Sequence, residues 1–487
     1  MNFTGPLMKS GYIPQKDRKK VLLLCDDIRM TSGISTMARE IVVGTSHRYN
    51  WVNVGGAINH PEQGKRLDIC ADTNAINGID DSSVFIYPIA GYGSPELIRT
   101  LIDAEKPDAI MFFTDPRYWI WLFQMENEIR RNIPMVYLNI WDDLPAPLYN
   151  KAYYESCDAL MAISKQTENI NRMVLGEKAN DKIIKYVPHG INEKMFYPIN
   201  EYMIEDTEKL NQKRKELFGE DQPEFVVFYN ARNIRRKSTS DLVAAYAQFC
   251  DKIGKDKAKK CRLLLHTDKA DDNGTDLPAV INLLCDPEYQ KVTFTPGRTS
   301  TFDVNLYYNL SDVTALVSSN EGWGLSLTES MMCGKMIIAT VTGGMQDQMR
   351  FENENGEWLN FDENFCSNHF GTYKKHGDWA IPVFPSNSSL VGSIPTPYIW
   401  DDRADFRDIA SAIQQVYELP TTEREKRGMN GRDWVQSDES MMSARKMCEN
   451  VISCIDETFS TFKKRKKYDL IKIEKLQTKK LVHPLTY

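Results

Sequence analysis

The sequence is poor in the residues that build fixed metal centres. It has seven histidines and ten cysteines in 487 residues. The cysteines are scattered, with no Cys-x-x-Cys pair and no Cys/His group at zinc spacing, so they read as reduced core thiols. There is no His-Glu-x-x-His and no Asp-x-Asp, which argues against a dedicated metal site. No apolar run approaches the roughly 18–20 residues of a membrane span; the longest, such as Val21–Cys25, have strand length. The N-terminus lacks the charged-then-apolar order of a secretory leader, and the expectation is a soluble, cytoplasmic enzyme. Hydrophobic residues make up 42% and charged residues 26%, which excludes a largely disordered chain. At roughly 100–200 residues per domain, the length suggests two or three domains.

Charge is unevenly distributed. Residues 461–487 hold nine Lys/Arg against Asp469 and Glu474, so this tail carries +7 and the rest −14, for a total of −7. An acidic body with a basic tail is not the footprint of a general nucleic-acid binder. The tail reads as a solvated helix end or as a contact for an anionic surface.

After a polar lead-in over 1–18, Lys20–Cys25 is a continuous apolar run, as a strand covered on both faces should be. Asp26–Gly33 is a loop, and Ile34–Val43 has helical spacing. The alternation continues through expected strands Trp51–Val54, Val84–Tyr87, Ala109–Thr114, Met135–Ile140 and Ala159–Ser164, with helices expected over Pro95–Ala104 and from about Trp119 to Arg131. The charged segment Asn200–Gln222 reads as a boundary. The pattern then restarts with strands Phe225–Asn230, Arg262–Thr267, Lys291–Thr295, Thr314–Val317 and Met336–Thr340, separated by helices. Residues 351–400 show little periodicity and read as an irregular insertion. Helices return over Phe406–Tyr417, Thr422–Val435 and Ser440–Phe462. Strand–helix alternation implies a parallel sheet covered on both faces. The expected fold is therefore α/β: an N-terminal Rossmann-like unit over 19–205, a second over 206–438, and a helix with basic tail over 439–487. Ligands are expected in the cleft between the two units, at the carboxyl ends of the strands.

Three segments carry chemistry. Ser319–Gly334 (SNEGWGLSLTESMMCG) places Glu321 in a Gly-rich turn after a strand and Glu329 in the first turn of the next helix. Helix N-termini favour anions, and Gly322 and Gly324 allow close backbone approach to a ligand. The bland alternative is a loop glutamate and a dipole-complementing glutamate. Tyr229–Lys237 follows the first strand of the second unit; Arg232 and Lys237 there suit a diphosphate, or form a basic surface loop. Val187–Asn192 contains Pro188-His189-Gly190, in which His189 reads first as a turn residue. Gly91-Tyr92-Gly93-Ser94-Pro95 imitates a dinucleotide fingerprint but lacks its third glycine and its acidic partner.

Taken together, Pro188-His189-Gly190-Ile191-Asn192, Arg232 with Lys237, Glu321-x7-Glu329 around Gly-Trp-Gly, and Thr342-Gly343-Gly344 resemble the retaining GT-B glycosyltransferases of family GT4, the glycosyl transferases group 1. The resemblance is firm over about 185–345, weaker over 20–184 and almost absent over 350–400. It implies that Arg232 and Lys237 hold the diphosphate of a nucleotide-sugar donor, with no further cofactor; nothing in the sequence distinguishes UDP from GDP or ADP, and a UDP-sugar is the commoner choice. Glu321 would contact the donor sugar near the reacting carbon, with the Gly322-Trp323-Gly324-Leu325 turn against the donor. Glu329 would accept hydrogen bonds from the ribose hydroxyls. Gly33, in Thr31-Ser32-Gly33, would lie where the first loop approaches the phosphates. Many members present a histidine after the strand Met135–Ile140. This chain reads Trp141-Asp142-Asp143-Leu144-Pro145, so Asp142 or Asp143 would bind a sugar hydroxyl, activate an acceptor hydroxyl, or merely cap a helix. Ser164 is a minor cleft candidate.

Such a site transfers a sugar to an acceptor hydroxyl with retention, stabilising the departing nucleotide with preorganised cations. The alternatives are another GT-B enzyme (a sugar-nucleotide epimerase or a phosphorylase) or a nucleotide-sugar binding protein without turnover. Tyr118, Trp119, Trp121 and Trp141 are either core or stacking surfaces for an acceptor. That acceptor would be a glycan, a lipid-linked sugar or a modified base.

Overall fold

The structure is a computed structural model that describes residues 11–297 and 299–466. The chain builds two parallel sheets. The first contains β1 (Lys19–Asp26), β2 (Tyr49–Gly56), β3 (Leu67–Asp68), β4 (Val84–Pro88), β5 (Ala109–Phe113), β6 (Met135–Asn139), β7 (Ala159–Ala162) and β8 (Ile183–Tyr186). Their order is β3-β4-β2-β1-β5-β6-β7-β8, and only β3 runs antiparallel to its neighbour. The second contains β9 (Phe225–Asn230), β10 (Cys261–His266), β11 (Val292–Phe294), β12 (Val313–Leu316), β13 (Met336–Thr340) and β14 (Ala380–Val383), in the order β11-β10-β9-β12-β13-β14. These are the two Rossmann-like, doubly wound units expected from the alternation.

The apolar runs behave as central strands should. Val21 to Cys25 are all buried, and so are Phe225 to Tyr229. In each sheet the strand order reverses beside the first strand of its unit, between β1 and β5 and between β9 and β12. Such a reversal opens a crevice at the strands' carboxyl ends, because the flanking loops leave toward opposite faces. The loop after β9 begins at Ala231 and the loop after β12 at Val317, so the Arg/Lys segment and the Glu321 segment emerge side by side.

Three expectations are corrected. Residues 351–400 are not an irregular insertion: they contain β14, the sixth strand of the second sheet, and most of a hairpin of β15 (Asn387–Ser393) and β16 (Thr396–Arg403). The hairpin escaped notice because its strands are rich in Ser, Pro and Gly and only half covered. The charged boundary segment contains a helix, Ile204–Phe218, whose one buried residue is Phe218. Its apolar stripe is thus almost absent from the pattern. The single helix expected over Trp119–Arg131 is three short turns, Pro116–Trp119, Ile120–Gln124 and Glu126–Ile129. Of the basic tail, residues 467–487 lie outside the described residues. Among those described, no helix is long and apolar enough to cross a membrane.

The last helix, Ala444–Thr461, returns to the first unit and packs on the helix Gly33–Thr45. Asp456 accepts from Arg48 Nη2 at 2.6 Å and from the buried Tyr49 hydroxyl at 2.7 Å. Ile191 of the Pro-His-Gly turn bridges to Ser443 at the start of this helix. Asp456→Ala leaves the Tyr49 hydroxyl without its main acceptor, and we expect a loss of about 1–3 kcal/mol in urea unfolding.

Candidate active site

At the β9/β12 switch point, Glu321 is 8% exposed and its carboxylate accepts from Lys237 Nζ and, at 3.1 Å, from Arg236 Nη1. The same Arg236 nitrogen donates to the Asn320 carbonyl at 2.8 Å. Arg236 and Lys237 belong to one short turn, Arg235–Lys237, which aims both cations at the carboxylate. Burial alone would raise the Glu321 carboxyl, but the Lys237 and Arg236 charges outweigh it and hold the group at about 2. The site is therefore a buried carboxylate kept ionised by two cations.

The turn that carries Glu321 is held from behind. Gly344 N–H donates to the Glu321 carbonyl at 3.0 Å. A Cβ on Gly343 would stand 2.2 Å from that same oxygen, and one on Gly344 would stand 2.1 Å from the Gly322 carbonyl. Only glycines permit this approach, which is the physical content of the Thr342-Gly343-Gly344 motif. Gly324 has φ +87° and directly precedes the helix Leu325–Met332. Trp323 is buried, its indole N–H donating to Thr328 Oγ1 at 3.0 Å.

Glu329 lies in the second turn of this helix, not in the first as expected, because the helix starts only at Leu325. Its Oε2 accepts from the Tyr308 hydroxyl at 2.6 Å, and Asn230 Nδ2, at the end of β9, lies 3.5 Å away. Burial raises the carboxyl to about 7, with Tyr308 pulling the other way. The two glutamates thus occupy opposite regimes, Glu321 ionised and Glu329 poised to gain or lose a proton near neutrality.

The first unit faces this cluster. A Cβ on Gly33 would lie 3.1 Å from Leu325 Cδ1, so its loop abuts the start of the Glu329 helix. Gly322 approaches the Ile140 carbonyl across the cleft: a Cβ there would lie 3.0 Å away. Asp142 follows β6 within electrostatic reach of Arg236, Glu321 and Lys237; burial lifts its carboxyl to about 6, Arg236 opposes this, and Glu321 adds to it. Its loop is fixed by Gln166, which donates to the Asp142 carbonyl, and by Thr167 Oγ1, which donates to Trp141 O at 2.8 Å. Asp143 beside it is raised further by burial and by Asp142. Ser164 caps the helix Lys165–Leu175, and its Cβ lies 3.1 Å from where a Cβ on Gly344 would stand.

Glu321, Lys237, Asp142, Gly33, the Gly322–Leu325 turn and Glu329 are therefore brought to one crevice. Arg232 is not. Its guanidinium is paired with Asp271 at 2.7 Å, and its side chain is 61% exposed. Arg232 was expected to act beside Lys237; in this structure the arginine that joins Lys237 is Arg236, at Glu321. The sequence offered three basic residues in a row, and only the tight turn decides which of them point inward. Tyr308 also escaped the sequence reading, since it stands in no motif, and Asn230, though inside the Tyr229–Lys237 segment, was given no role there. His189 is buried between Phe113 and Trp323, and burial depresses its imidazole to about 3, so it is a neutral packing residue. Trp119 and Trp141 belong to the core of the first unit, while Tyr118 is half exposed and stacks on Tyr92 at 4.3 Å. The tyrosine of the false Gly91-Tyr92-Gly93 fingerprint binds Asp26 at 2.8 Å instead.

Residues 209–364, about a third of the chain, match the family described as Glycosyl transferases group 1, the group named in the motif resemblance. An alpha-monoglucosyldiacylglycerol synthase of Acholeplasma laidlawii is 28% identical over 189 residues, 39% of this chain and 43% of that protein. The matched region thus spans less than half of that relative's length. Among solved structures, the sucrose-phosphate synthase of Thermosynechococcus elongatus superposes with a TM-score of 0.62 at 15% identity, covering 91% of this chain and all of that one. The HepE protein of Anabaena, in complex with UDP and glucose, gives 0.60 at 15% identity, covering 90% and 100%. The fold is the GT-B arrangement of two Rossmann-like units.

Two stability predictions follow from the buried charges. Lys237→Met strands Glu321 with one cation, and we expect a cost of about 3–5 kcal/mol in denaturant unfolding, largely recovered when Glu321→Gln is added. Glu329 has the opposite sign. Its folded pKa lies above the ordinary value of 4.5, so its contribution is full below that value and is lost as pH rises through about 7. Glu329→Gln should flatten the decline in the urea midpoint between those two pH values; an unchanged decline contradicts the assignment.

Proposed function

Starting from the glycosyl transferases group 1 segment, we propose that this protein is a glycosyltransferase that moves a sugar from a nucleotide-diphosphate donor to an acceptor hydroxyl with retention of configuration, as in GT4 enzymes. The observation that carries this reading is the buried Glu321 carboxylate clamped by Lys237 and Arg236 at the switch point, with Glu329 in the second turn of the helix that follows. A nucleotide sugar needs cations at its diphosphate and acceptors for its sugar and ribose hydroxyls, and this crevice offers both.

In this scheme Lys237 and Arg236 face the diphosphate and offset the charge that develops on the departing nucleotide. Arg232 joins them by leaving Asp271. The arginine half of that pair is exposed while the Asp271 side chain is largely covered, so the guanidinium is open to competition from a dianionic diphosphate. Glu321, kept ionised, orients the donor sugar near the reacting carbon, while Glu329 receives the ribose hydroxyls. Asp142 approaches from the opposite wall with a carboxyl near 6, suited to accept a hydrogen bond from a sugar or acceptor hydroxyl. The same-face attack expected of a retaining enzyme passes the acceptor's proton to the leaving phosphate oxygen. A uridine nucleotide is favoured because the HepE neighbour is described with UDP and with UDP-glucose. The acceptor is left to the first unit, where sequence likeness is least.

Arg236→Ala should lower turnover of UDP-glucose by about 10²–10³ with the fold intact, since one donor to the developing charge is lost. Wild-type turnover in Arg236→Ala, together with full activity in Glu321→Ala, overturns the reading. A donor-only assay separates an epimerase, which needs no acceptor. Ribose hydroxyls favour the ionised form of Glu329. UDP binding near pH 7 should therefore release a proton, seen as a binding enthalpy that depends on buffer ionisation heat, and Glu329→Gln should abolish most of that release.

A further inference from the structure

The hairpin β15–β16 has no place in either sheet, yet it touches both walls of the cleft. β16 pairs with β15 along one edge, with Ser388 opposite Asp402 and Leu390 opposite Trp400. Its other edge is spent on the two domains. Trp400 N–H donates to the Leu144 carbonyl at 2.7 Å, in the loop that carries Asp142. Two residues on, Asp402 N–H donates to the Ser319 carbonyl at 3.0 Å, at the head of the Glu321 turn. Ser319 N–H in turn donates to the Arg236 carbonyl at 2.8 Å. One extended segment therefore links the Asp142 loop, the Glu321 turn and the backbone of the cation that clamps Glu321.

Each end is reinforced by side chains. On the first-unit side, Tyr149 donates to the Tyr398 carbonyl at 3.1 Å, their rings lie 5.0 Å apart, and the Tyr398 hydroxyl reaches the Ala146 carbonyl at 3.3 Å. Ile399 and Trp400 pack against the first unit's core. On the second-unit side, the Asp402 carboxylate is completely buried. It accepts from Thr342 Oγ1 at 2.9 Å, from Ser367 Oγ at 2.7 Å and from Ser388 Oγ. Thr342 opens the Gly-Gly turn that backs Glu321. A buried carboxylate is costly unless its lone pairs are filled, and these three hydroxyls fill them. The same carboxylate thus fastens the hairpin to the turn behind Glu321.

We propose that this hairpin is a clasp across the cleft and that Asp402 is a positioning residue, setting the Glu321 turn and the Asp142 loop in register for the reaction. The catalytic part of this statement rests on the glycosyltransferase reading; the mechanical part does not. Asp402 touches no reacting group and acts through Ser319 and Thr342.

Hydrogen exchange and UDP-glucose hydrolysis on the full chain test it. Asp402→Ala should raise exchange at least about tenfold in both 319–324 and 142–149, with β1 and β9 at wild-type protection. Hydrolysis should fall about 10–100-fold, as expected for small misplacements of reacting groups. Asp402→Asn keeps an acceptor for the hydroxyls and should restore most of both. Should Asp402→Ala not fold, Tyr398→Ala breaks only the first-unit end; it should deprotect 142–149 and lower hydrolysis while UDP affinity holds. Exchange changes confined to 387–403, or wild-type hydrolysis in these variants, overturn the proposal. A wild-type protein that neither binds UDP nor hydrolyses UDP-glucose defeats the glycosyltransferase reading instead, and the exchange pattern still decides the clasp.

Discussion

The buried contact of Glu321 with Lys237 and Arg236 is the constraint on which the rest of the site depends. An ionised carboxylate out of water is tolerated only with close cations and good geometry. Here the geometry comes from the fold: β9 and β12 are neighbours at a reversal of strand order, so their loops meet without long excursions. The Gly-Gly turn presses the Glu321 backbone forward, and the short turn Arg235–Lys237 brings two cations to one oxygen. A ligand diphosphate entering this crevice meets cations already ordered and desolvated, so little reorganisation remains when charge develops.

The two carboxylates of the Glu-x7-Glu pattern owe their different chemistry to their neighbours. Glu321 has cations and stays ionised, while Glu329 has only the Tyr308 hydroxyl and the more distant Asn230 amide, and titrates near neutrality. Asp142, reaching across from the other unit, lies between these extremes because burial raises its carboxyl, Arg236 opposes the rise and Glu321 adds to it. The second unit holds both cations and both glutamates, and the first presents a carboxyl from a loop whose position is set by contacts on both sides of the cleft.

Much of this was legible in the sequence, and what escaped did so for physical reasons. Continuous apolar runs such as Val21–Cys25 and Phe225–Tyr229 identify strands covered on both faces, and the parallel sheets follow from their alternation with helices. The Glu321 and Gly343-Gly344 motifs are legible because backbone crowding admits few residues there. Arg232 was favoured for its interval to Lys237, and Arg236 was missed because composition does not distinguish it from Arg235 beside it; the tight turn Arg235–Lys237 decides which points inward. The hairpin and Asp402 were missed because their strands bury little apolar surface; their partners are hydroxyls and carbonyls scattered from Leu144 to Ser388. The helix Ile204–Phe218 passed as a linker because it presents almost no apolar face.

A crystal structure of the complex with UDP shows whether Lys237 and Arg236 hold the diphosphate of a nucleotide sugar at Glu321. Phosphate oxygens are expected within hydrogen-bond distance, about 2.7–3.2 Å, of Lys237 Nζ or the Arg236 guanidinium, with the ribose at Glu329. A nucleotide bound away from the β9/β12 switch point, with Lys237 and Arg236 untouched, would contradict this.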